Sequence, residues 1–246
     1  MTARVRTMAG DGNDVRVLVG VPLERNVSDA AFLAFWEIAR QGYPLIPRAY
    51  CRCDIHRNEM ARVLLHSPYT HLVMLDLDHL HPANTVQNLI ARVREDPRRQ
   101  VVANLNFRRS PPYDPCAYWW DADKQQYYTR TEWPPEVLQC DVIGHGAVII
   151  AREVFEAIPP PWWAYTYDPK SCAMDADGPW VFSSDDIFFC NRCKEFGVNV
   201  YVDPTHTSPH LYQAQITEAT YKSHLQQSVA SGALSPEASG PAVTID

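Results

Sequence analysis

His71-Leu72-Val73-Met74-Leu75-Asp76-Leu77-Asp78-His79 is an apolar run that ends in two acids placed one residue apart. The run is apolar on both faces, which is typical of a central strand in a parallel sheet. Ligands of open α/β sheets collect at the carboxyl ends of the strands, where we place Asp76 and Asp78. Side chains two residues apart in an extended segment point the same way, so we expect both carboxylates on one side.

Two carboxylates on one side of a strand end repel each other unless a cation or hydrogen-bond donors compensate them. Mg²⁺ and Mn²⁺ bind carboxylate together with phosphate oxygens, so the motif predicts a divalent-ion site that holds a phosphorylated ligand. The alternative is a pair of solvated acids that open a turn, because so short a motif also arises by chance.

The composition indicates a globular protein with enough residues for one large α/β domain or two small ones. The chain has 246 residues, 46% of them hydrophobic, and its net charge of −7 weakly disfavours a broad nucleic-acid or membrane-binding surface. No apolar run reaches the length of a membrane span and no signal peptide opens the chain, so we expect a cytoplasmic protein without integral membrane association. Seven cysteines, an odd number, indicate mostly reduced thiols rather than a disulfide framework.

Strand and helix patterns alternate along the chain, which predicts a single α/β domain with a mostly parallel central sheet flanked by helices. We place this domain at residues 15–224, between a flexible N-terminus at 1–14 and a disordered Ser-, Gly-, Ala- and Pro-rich tail at 225–246. The predicted strands lie within residues 15–21, 44–52, 71–75, 101–107, 142–150 and 198–202. Gly144 and Gly146 interrupt the fifth pattern, which indicates a bulge or a close approach of backbone to a ligand.

Residues that favour helix N-termini precede three of the predicted helices. The predicted N-caps are Ser28, Asp54 and Ser184. An apolar stripe follows the first cap at helical spacing, and we expect it to face the core. The stripe comprises Phe32, Phe35, Trp36 and Ala39.

Six motifs occur in an order that resembles one known enzyme family. They are Val19-Gly20-Val21-Pro22, Arg57-Asn58, Met74 to Asp78, Gly144-His145-Gly146, Ser184 to Cys190, and the passage from Gly197 through Asp203-Pro204 to His210. Together they resemble the GT-A fold glycosyltransferases that use nucleotide sugars, nearest to family 2, with the DXD element at residues 76–78. The resemblance implies a Rossmann-like nucleotide-sugar-binding half at 15–110 and an acceptor and catalytic half at 111–224.

The resemblance also implies a donor site and a metal site. The donor, a UDP-sugar by default, would contact Pro22, Glu24, Arg57, Asn58, Asp76 and Leu77. Mn²⁺ or Mg²⁺ would be held by Asp78 directly, by Asp76 directly or through water, and by His210 rather than His206. A bound cation acts as a Lewis acid on a departing nucleotide diphosphate, and an arginine fork can pair with the same group. An imidazole ligand suits Mn²⁺ better than Mg²⁺.

Transfer to a hydroxyl also requires a base on the acceptor side. Asp185 stands where the family has Glu and is the predicted base, with Asp186 second; their mutual repulsion should raise one of the two pKa values. The alternative is that both acids only complement the dipole of the helix that they begin. By resemblance the reaction inverts configuration, and the acceptor-binding residues are Gly144, His145, Gly146 and Trp180.

His79 and His81 are not typical of the family after the DXD element. Three roles stay open for them, namely support of the metal ligands, contact with the acceptor, and a surface location, and we favour the surface. Two other functions stay open: a haloacid-dehalogenase-like phosphatase, which also ends an apolar strand in Asp-x-Asp, and a non-catalytic carbohydrate-binding protein. The acceptor hydroxyl can belong to a glycan or a small molecule, and a nucleic-acid acceptor is less favoured although arginines supply positive charge. These arginines are Arg92, Arg94, Arg98, Arg99, Arg108 and Arg109.

Overall fold

A computed structural model describes residues 14–23, 27–49, 52–109, 113–124, 126–167 and 182–211, together with residue 227. The chain divides into two compact units, Met1–Leu211 and Tyr212–Asp246, and every helix and strand named below lies in the first. The predicted flexible N-terminus and disordered tail lie almost entirely outside the described residues.

Within the described ranges, helices and strands alternate along most of the chain. The helices are α1 (Asp29–Ala39), α2 (Cys53–Leu65), α3 (Thr85–Glu95), α4 (Arg152–Ala157) and α5 (Asp185–Glu195). The strands are β1 (Val17–Leu23), β2 (Leu45–Ala49), β3 (His71–Leu75), β4 (Val101–Leu105), β5 (Ala117–Asp121), β6 (Gln126–Tyr128), β7 (Leu138–Cys140), β8 (Val142–Ile143), β9 (Ala147–Ala151), β10 (Thr166–Tyr167), β11 (Phe182–Ser183) and β12 (Val200–Thr207).

The central sheet has seven strands in the order β2-β1-β3-β9-β4-β12-β7, and two small sheets join β10 to β11 and β6 to β5 and β8. In the central sheet, β1 pairs in parallel with β2 and β3, and β4 with β12. β9 runs antiparallel between β3 and β4, and β7 runs antiparallel along β12. All strands except β9 and β7 therefore share one direction, which confirms the predicted α/β fold with a mostly parallel sheet.

The reversed direction of β9 places its first residue at the carboxyl end of β3. Its first residue, Ala147, pairs with Leu75, the last residue of β3. The Gly144-His145-Gly146 loop before β9 consequently reaches the carboxyl end of β3. The backbone N–H of Asp76 donates to the carbonyl of Gly146 at 2.8 Å and ties the two segments together.

Alternate residues of β3 contribute to two hydrophobic cores. Leu72 and Met74 belong to a cluster with apolar residues of α2, α4 and α5, whereas Val73 and Leu75 belong to a second cluster with residues of α1 and α3. All four side chains are fully buried. Because each such burial stabilises the fold by roughly 1.5–3 kcal/mol, a strand that is apolar on both faces belongs inside the sheet.

The prediction that the apolar stripe of α1 faces the core is wrong in part. Phe32 and Trp36 are 56% and 54% exposed, and the buried residues of the helix are Ala31 and Ile38. The helix is apolar around most of its circumference, so helical spacing alone did not distinguish the inner face from the outer face. Ser28 is the N-cap as predicted, because its hydroxyl accepts from the Ala31 N–H.

Four predicted boundaries also shift, one of them that of the last strand, which was predicted within residues 198–202 and is β12 (Val200–Thr207). The strand expected over 142–150 is split into β8 and β9 by the glycine loop, and β1 runs through Pro22 to Leu23. Asp54 lies in the first turn of α2, whose N-cap is Arg52, and the two side chains form an ion pair at 2.7 Å. Ser184 caps α5 as predicted. Within the described ranges, none of the helices combines the length and the apolar character that a membrane span requires.

Candidate functional site

Three carboxylates converge on one buried guanidinium at the carboxyl edge of the sheet. Arg57 of α2 is only 4% exposed at its side chain. Its Nη1 donates to Oδ2 of Asp185 at 2.7 Å and to Oδ1 of Asp186 at 2.5 Å, and its Nη2 donates to Oδ2 of Asp76 at 2.9 Å. We call these four residues the Arg57 cluster. With three acids for one cation, the cluster leaves an excess of negative charge next to the first turn of α5.

The two acids of α5 differ in their environment. Burial raises the pKa of Asp185, Arg57 opposes that effect, and the neighbouring Asp186 adds to it. Burial also acts against the ionised form of Asp186, but Arg57 and His145 outweigh it and lower the pKa of Asp186. His145 lies with Nδ1 2.9 Å from Oδ1 of Asp186, and its backbone N–H donates to Oδ2 at 3.3 Å. Asp185 is therefore the acid of this pair that is better suited to take up a proton.

The second acid of the motif has a different set of partners. Asp78 Oδ1 lies 3.1 Å from Nδ1 of His79, and its Oδ2 lies 3.0 Å from Nε2 of His210 and 2.9 Å from Nη1 of Arg109. We call these four residues the Asp78 cluster. Burial acts to raise the pKa of Asp78, but the hydrogen bonds from His210 and His79 outweigh it and hold the pKa well below its usual range.

A backbone bridge brings His210 to this place. The residues that follow β12 run antiparallel to the segment after β3, with a bridge between His79 and His210. Leu80 N–H donates to the Pro209 carbonyl at 2.8 Å, and Leu211 N–H donates to the Asp78 carbonyl at 2.7 Å. His206 lies instead 3.1 Å from Asp203, so the structure places His210 rather than His206 beside Asp78.

The expectation that Asp76 and Asp78 point to one side is wrong. The strand ends at Leu75 and Asp78 lies in a turn, so the alternation of an extended chain no longer applies. Asp76 turns to Arg57, and among the described residues the group with ligand atoms close enough to share a metal ion is Asp78, His79 and His210. The Asp76 carboxylate is not part of that group.

The donor set of the Asp78 cluster fits a divalent ion. The ring of His210 donates from Nδ1 to the Phe107 carbonyl at 2.9 Å, so in the neutral ring Nε2 carries a lone pair. Burial acts to lower the pKa of His210, but its hydrogen bonds to Asp78 and to the Phe107 carbonyl outweigh burial and raise that pKa. A metal ion at this point takes the place of the proton that Nε2 directs at Asp78. One carboxylate oxygen with imidazole nitrogen is a common ligand combination for first-row divalent metals.

His79 and His81 are buried, and their expected surface location is wrong. The ring of His79 stacks on that of His210 with centroids 4.1 Å apart, and the ring of His81 stacks on that of His79 with centroids 5.8 Å apart. Nε2 of His81 donates to the Asp76 carbonyl at 2.8 Å, and its Nδ1 accepts from the Ser208 hydroxyl at 3.0 Å. Burial lowers the pKa of His81 to about 3. The neutral ring of His81 therefore links the segment after β3 to the segment after β12.

Other predicted site residues have structural partners. The amide of Asn58 donates to the carbonyls of Asp54 and Trp163, each at 2.7 Å, and accepts from the Trp162 N–H at 2.9 Å. Leu77 belongs to the core and Pro22 is buried in β1. Glu24 and Trp180 lie outside the described residues.

The two glycines of the loop before β9 have no room for a side chain. A Cβ on Gly144 would lie 2.8 Å from the Cβ of Cys116. A Cβ on Gly146 would lie 2.6 Å from Nδ2 of Asn106 and 2.7 Å from Nε2 of His79. The close approach predicted for this loop is thus to the protein's own side chains.

Sequence reasoning missed the roles of His79 and Arg109. An imidazole directly after the second acid of the motif was the available signal for His79. Arg109 was noted only as part of a basic set, yet most of that set is neutralised by acids. Arg92 pairs with Asp203 and Glu95, Arg98 with Asp96, Arg99 with Glu95 and Arg108 with Asp114.

No protein-family model matches the sequence, and no curated protein matches it. Among solved structures, the fold is similar to A197 from STIV, with 17% sequence identity over 81% of this chain and 87% of that chain and a TM-score of 0.51. CMP:2-keto-3-deoxy-manno-octonic acid synthetase complexed with CTP also matches, with 10% identity over 89% of this chain and 100% of that chain and a TM-score of 0.39. At 17% identity the similarity to A197 shows a shared fold and nothing about activity.

Proposed function

We propose that the protein is a glycosyltransferase that moves a sugar from a nucleotide diphosphate sugar, with UDP-sugar as the default donor, to an acceptor hydroxyl. One observation carries this proposal: a carboxylate with a raised pKa, Asp185, and a carboxylate–imidazole group with ligand atoms close enough to hold a cation, at Asp78, each adjoin the segment that follows β3. Transfer from such a donor requires a proton acceptor for the hydroxyl and a positive charge for the diphosphate.

In the proposed mechanism, Asp78 and His210 would hold Mn²⁺ or Mg²⁺, which would supply a Lewis acid for the departing nucleotide diphosphate. Asp185 accepts the proton of the acceptor hydroxyl as the hydroxyl attacks the sugar from the opposite face, which inverts configuration. Asp186 stays ionised and, with His145, keeps the first turn of α5 in place.

The contacts of Arg57 favour a role that differs from the predicted diphosphate fork. Both of its terminal nitrogens already donate to carboxylates, so a diphosphate would have to displace one of them. We propose that Arg57 positions Asp185 and Asp76. Oδ1 of Asp76 is buried without a hydrogen bond among the described residues, which supports a contact between that oxygen and a ribose hydroxyl of the donor.

The acceptor is proposed to be a hydroxyl of a glycan or small molecule. A nucleic-acid acceptor is less favoured, because binding of a phosphate backbone depends on unpaired positive charge and the arginines of the basic set are largely paired with acids. The Gly144–Gly146 loop remains the proposed acceptor side of the site, since it adjoins Asp186 through the backbone of His145.

The test is release of nucleotide diphosphate from UDP-sugars in the presence of Mn²⁺, with Asp185→Asn as the variant. We expect transfer to fall by about 10²- to 10⁴-fold while donor binding is retained, since that is the usual contribution of a general base. Asp123→Asn, which changes an exposed acid in the β5–β6 turn, is the matched control and should retain activity. Full activity in Asp185→Asn would remove Asp185 as the base.

The same incubation separates the other functions. Release of inorganic phosphate from small phosphoesters would support the phosphatase in place of the transferase. Binding of saccharides without release of either product would support a carbohydrate-binding protein.

A further inference from the structure

The Asp78 cluster contains two imidazoles, although one would complete the site of the proposed function. We infer that His79 is a third ligand of the cation, and that the site therefore selects a borderline ion such as Mn²⁺, Co²⁺ or Zn²⁺ over Mg²⁺. This inference deepens the proposed function by identifying the class of ion, but the binding that it describes requires no donor.

The geometry brings three different donors to one place. The Asp78 carboxylate faces both rings, with Oδ1 3.1 Å from Nδ1 of His79 and Oδ2 3.0 Å from Nε2 of His210. Ligand atoms of the three residues lie within 4.8 Å of one another. The two rings are nearly parallel, with centroids 4.1 Å apart and planes inclined by 19°, so they present nitrogens to the same side of the carboxylate.

The ring of His79 is held in place by packing. The residue is only 4% exposed, and its Nε2 is buried without a hydrogen bond among the described residues. Gly146 lies against Nε2 so closely that a Cβ there would come within 2.7 Å, and the buried amide of Asn106 borders the same point. The ring cannot swing inward, so Nδ1 stays directed at Asp78.

The ring of His210 is oriented by a hydrogen bond instead. Its Nδ1–H donates to the Phe107 carbonyl, which leaves Nε2 for a metal ion. A backbone carbonyl or carboxylate on the far nitrogen is the usual way in which a metal-binding imidazole is fixed. Both rings are thereby preorganised, one by shape and one by a hydrogen bond.

Arg109 is the cation that meets Asp78 in this structure. Its Nη1 lies 2.9 Å from Oδ2, and its side chain is 58% exposed. Such an exposed ion pair exchanges readily with solvent and with other cations. A divalent ion at Asp78 therefore competes with Arg109, and removal of Arg109 should strengthen binding of every divalent ion.

The kinds of ligand atom in the site determine which metal ion it prefers. Mg²⁺ favours oxygen ligands in an octahedron and gives up its water reluctantly. Imidazole nitrogens favour the later first-row ions, and affinity rises from Mn²⁺ through Co²⁺ at a nitrogen-containing site. Two imidazoles with one carboxylate thus favour these ions, whereas a site with Asp78 and His210 alone would discriminate less.

The test measures metal binding at pH 7 without nucleotide, by calorimetry with Mg²⁺, Mn²⁺ and Co²⁺. We expect the unmodified protein to bind Co²⁺ about 100-fold or more tighter than Mg²⁺. His79→Gln should lose about 10- to 100-fold in Co²⁺ affinity and little in Mg²⁺ affinity. His66→Gln, at an exposed histidine that ends α2, is the matched control and should match the unmodified protein. Equal affinity for Co²⁺ and Mg²⁺, or an unchanged Co²⁺ affinity in His79→Gln, overturns the inference.

A second measurement covers the possibility that His79→Gln fails to fold. Pulsed EPR of the unmodified protein loaded with Mn²⁺ counts coordinated imidazoles, and we expect two. One imidazole would overturn the role of His79 and leave the proposed transferase intact, whereas none would overturn both. If the protein coordinates two imidazoles but transfers no sugar, the inference would be supported and the proposed function would be contradicted.

Discussion

Two arginines bind the two acids of the same Asp-x-Asp motif, and they do so in opposite ways. Arg57 is 4% exposed and donates to three carboxylates, whereas Arg109 is 58% exposed and, within the described part of the chain, donates to Asp78 alone. A buried charge is costly to leave without its partner, while an exposed pair contributes little. The Arg57 cluster is therefore a permanent part of the framework, and the Asp78 cluster is a place where one cation can replace another.

Arg57→Met should produce the largest effect. It removes the cation from three acids and should lower the free energy of unfolding by about 3–5 kcal/mol, the usual cost of leaving buried charge uncompensated. Urea unfolding at pH 7 measures this loss. A loss below about 1 kcal/mol, the range of an exposed pair, would abolish the distinction between the two clusters.

The pH dependence of the free energy of unfolding makes the comparison of the two clusters more precise, because it isolates the effect of burial on an ionisable side chain from the effect of an ion pair. Burial alone lowers the pKa of His71, at the opposite end of β3 from Asp76, to about 4. The unfolded chain binds the proton more tightly, so this contribution to stability is present above about pH 6.5 and is lost as the pH falls towards 4. His71→Gln should therefore lose less stability than the unmodified protein between pH 6.5 and 5, by on the order of 1–2 kcal/mol.

In His71→Gln the free energy of unfolding should still decrease somewhat as the pH falls. Part of this remaining decrease comes from His81, whose lowered pKa acts in the same direction. Urea unfolding at several pH values measures both curves. Parallel curves for the variant and the unmodified protein would contradict the burial argument for His71.

Arg109→Met should have the smallest effect on folding. It breaks one exposed ion pair, so the free energy of unfolding should change by about 0–1 kcal/mol. Divalent ions should bind more tightly to this variant, since Oδ2 of Asp78 no longer has a competing cation. A loss of stability as large as that of Arg57→Met would show that Arg109 belongs to the framework.

Sequence patterns that span only a few residues were sufficient to predict much of the fold. The double-faced run of β3 predicted a strand inside the sheet, and Ser28 and Ser184 predicted two helix starts, because each depends on local periodicity or on a hydrogen bond three residues away. The inner face of α1 was not predictable in the same way. An apolar stripe shows what a helix can bury, but the packing of its neighbours decides which side is covered.

By itself, the sequence determined the α/β class, the strand that precedes Asp76 and Asp78, and the acids that begin α5. The tertiary structure alone decided that the two acids of one motif bind different partners. Asp76 meets Arg57, 19 residues before it in the chain, and Asp78 meets His210, 132 residues after it. The physical reason is that a carboxylate takes the cation or donor that folding brings to its oxygens, and β9 and the segment after β12 reach that edge only when the sheet is assembled.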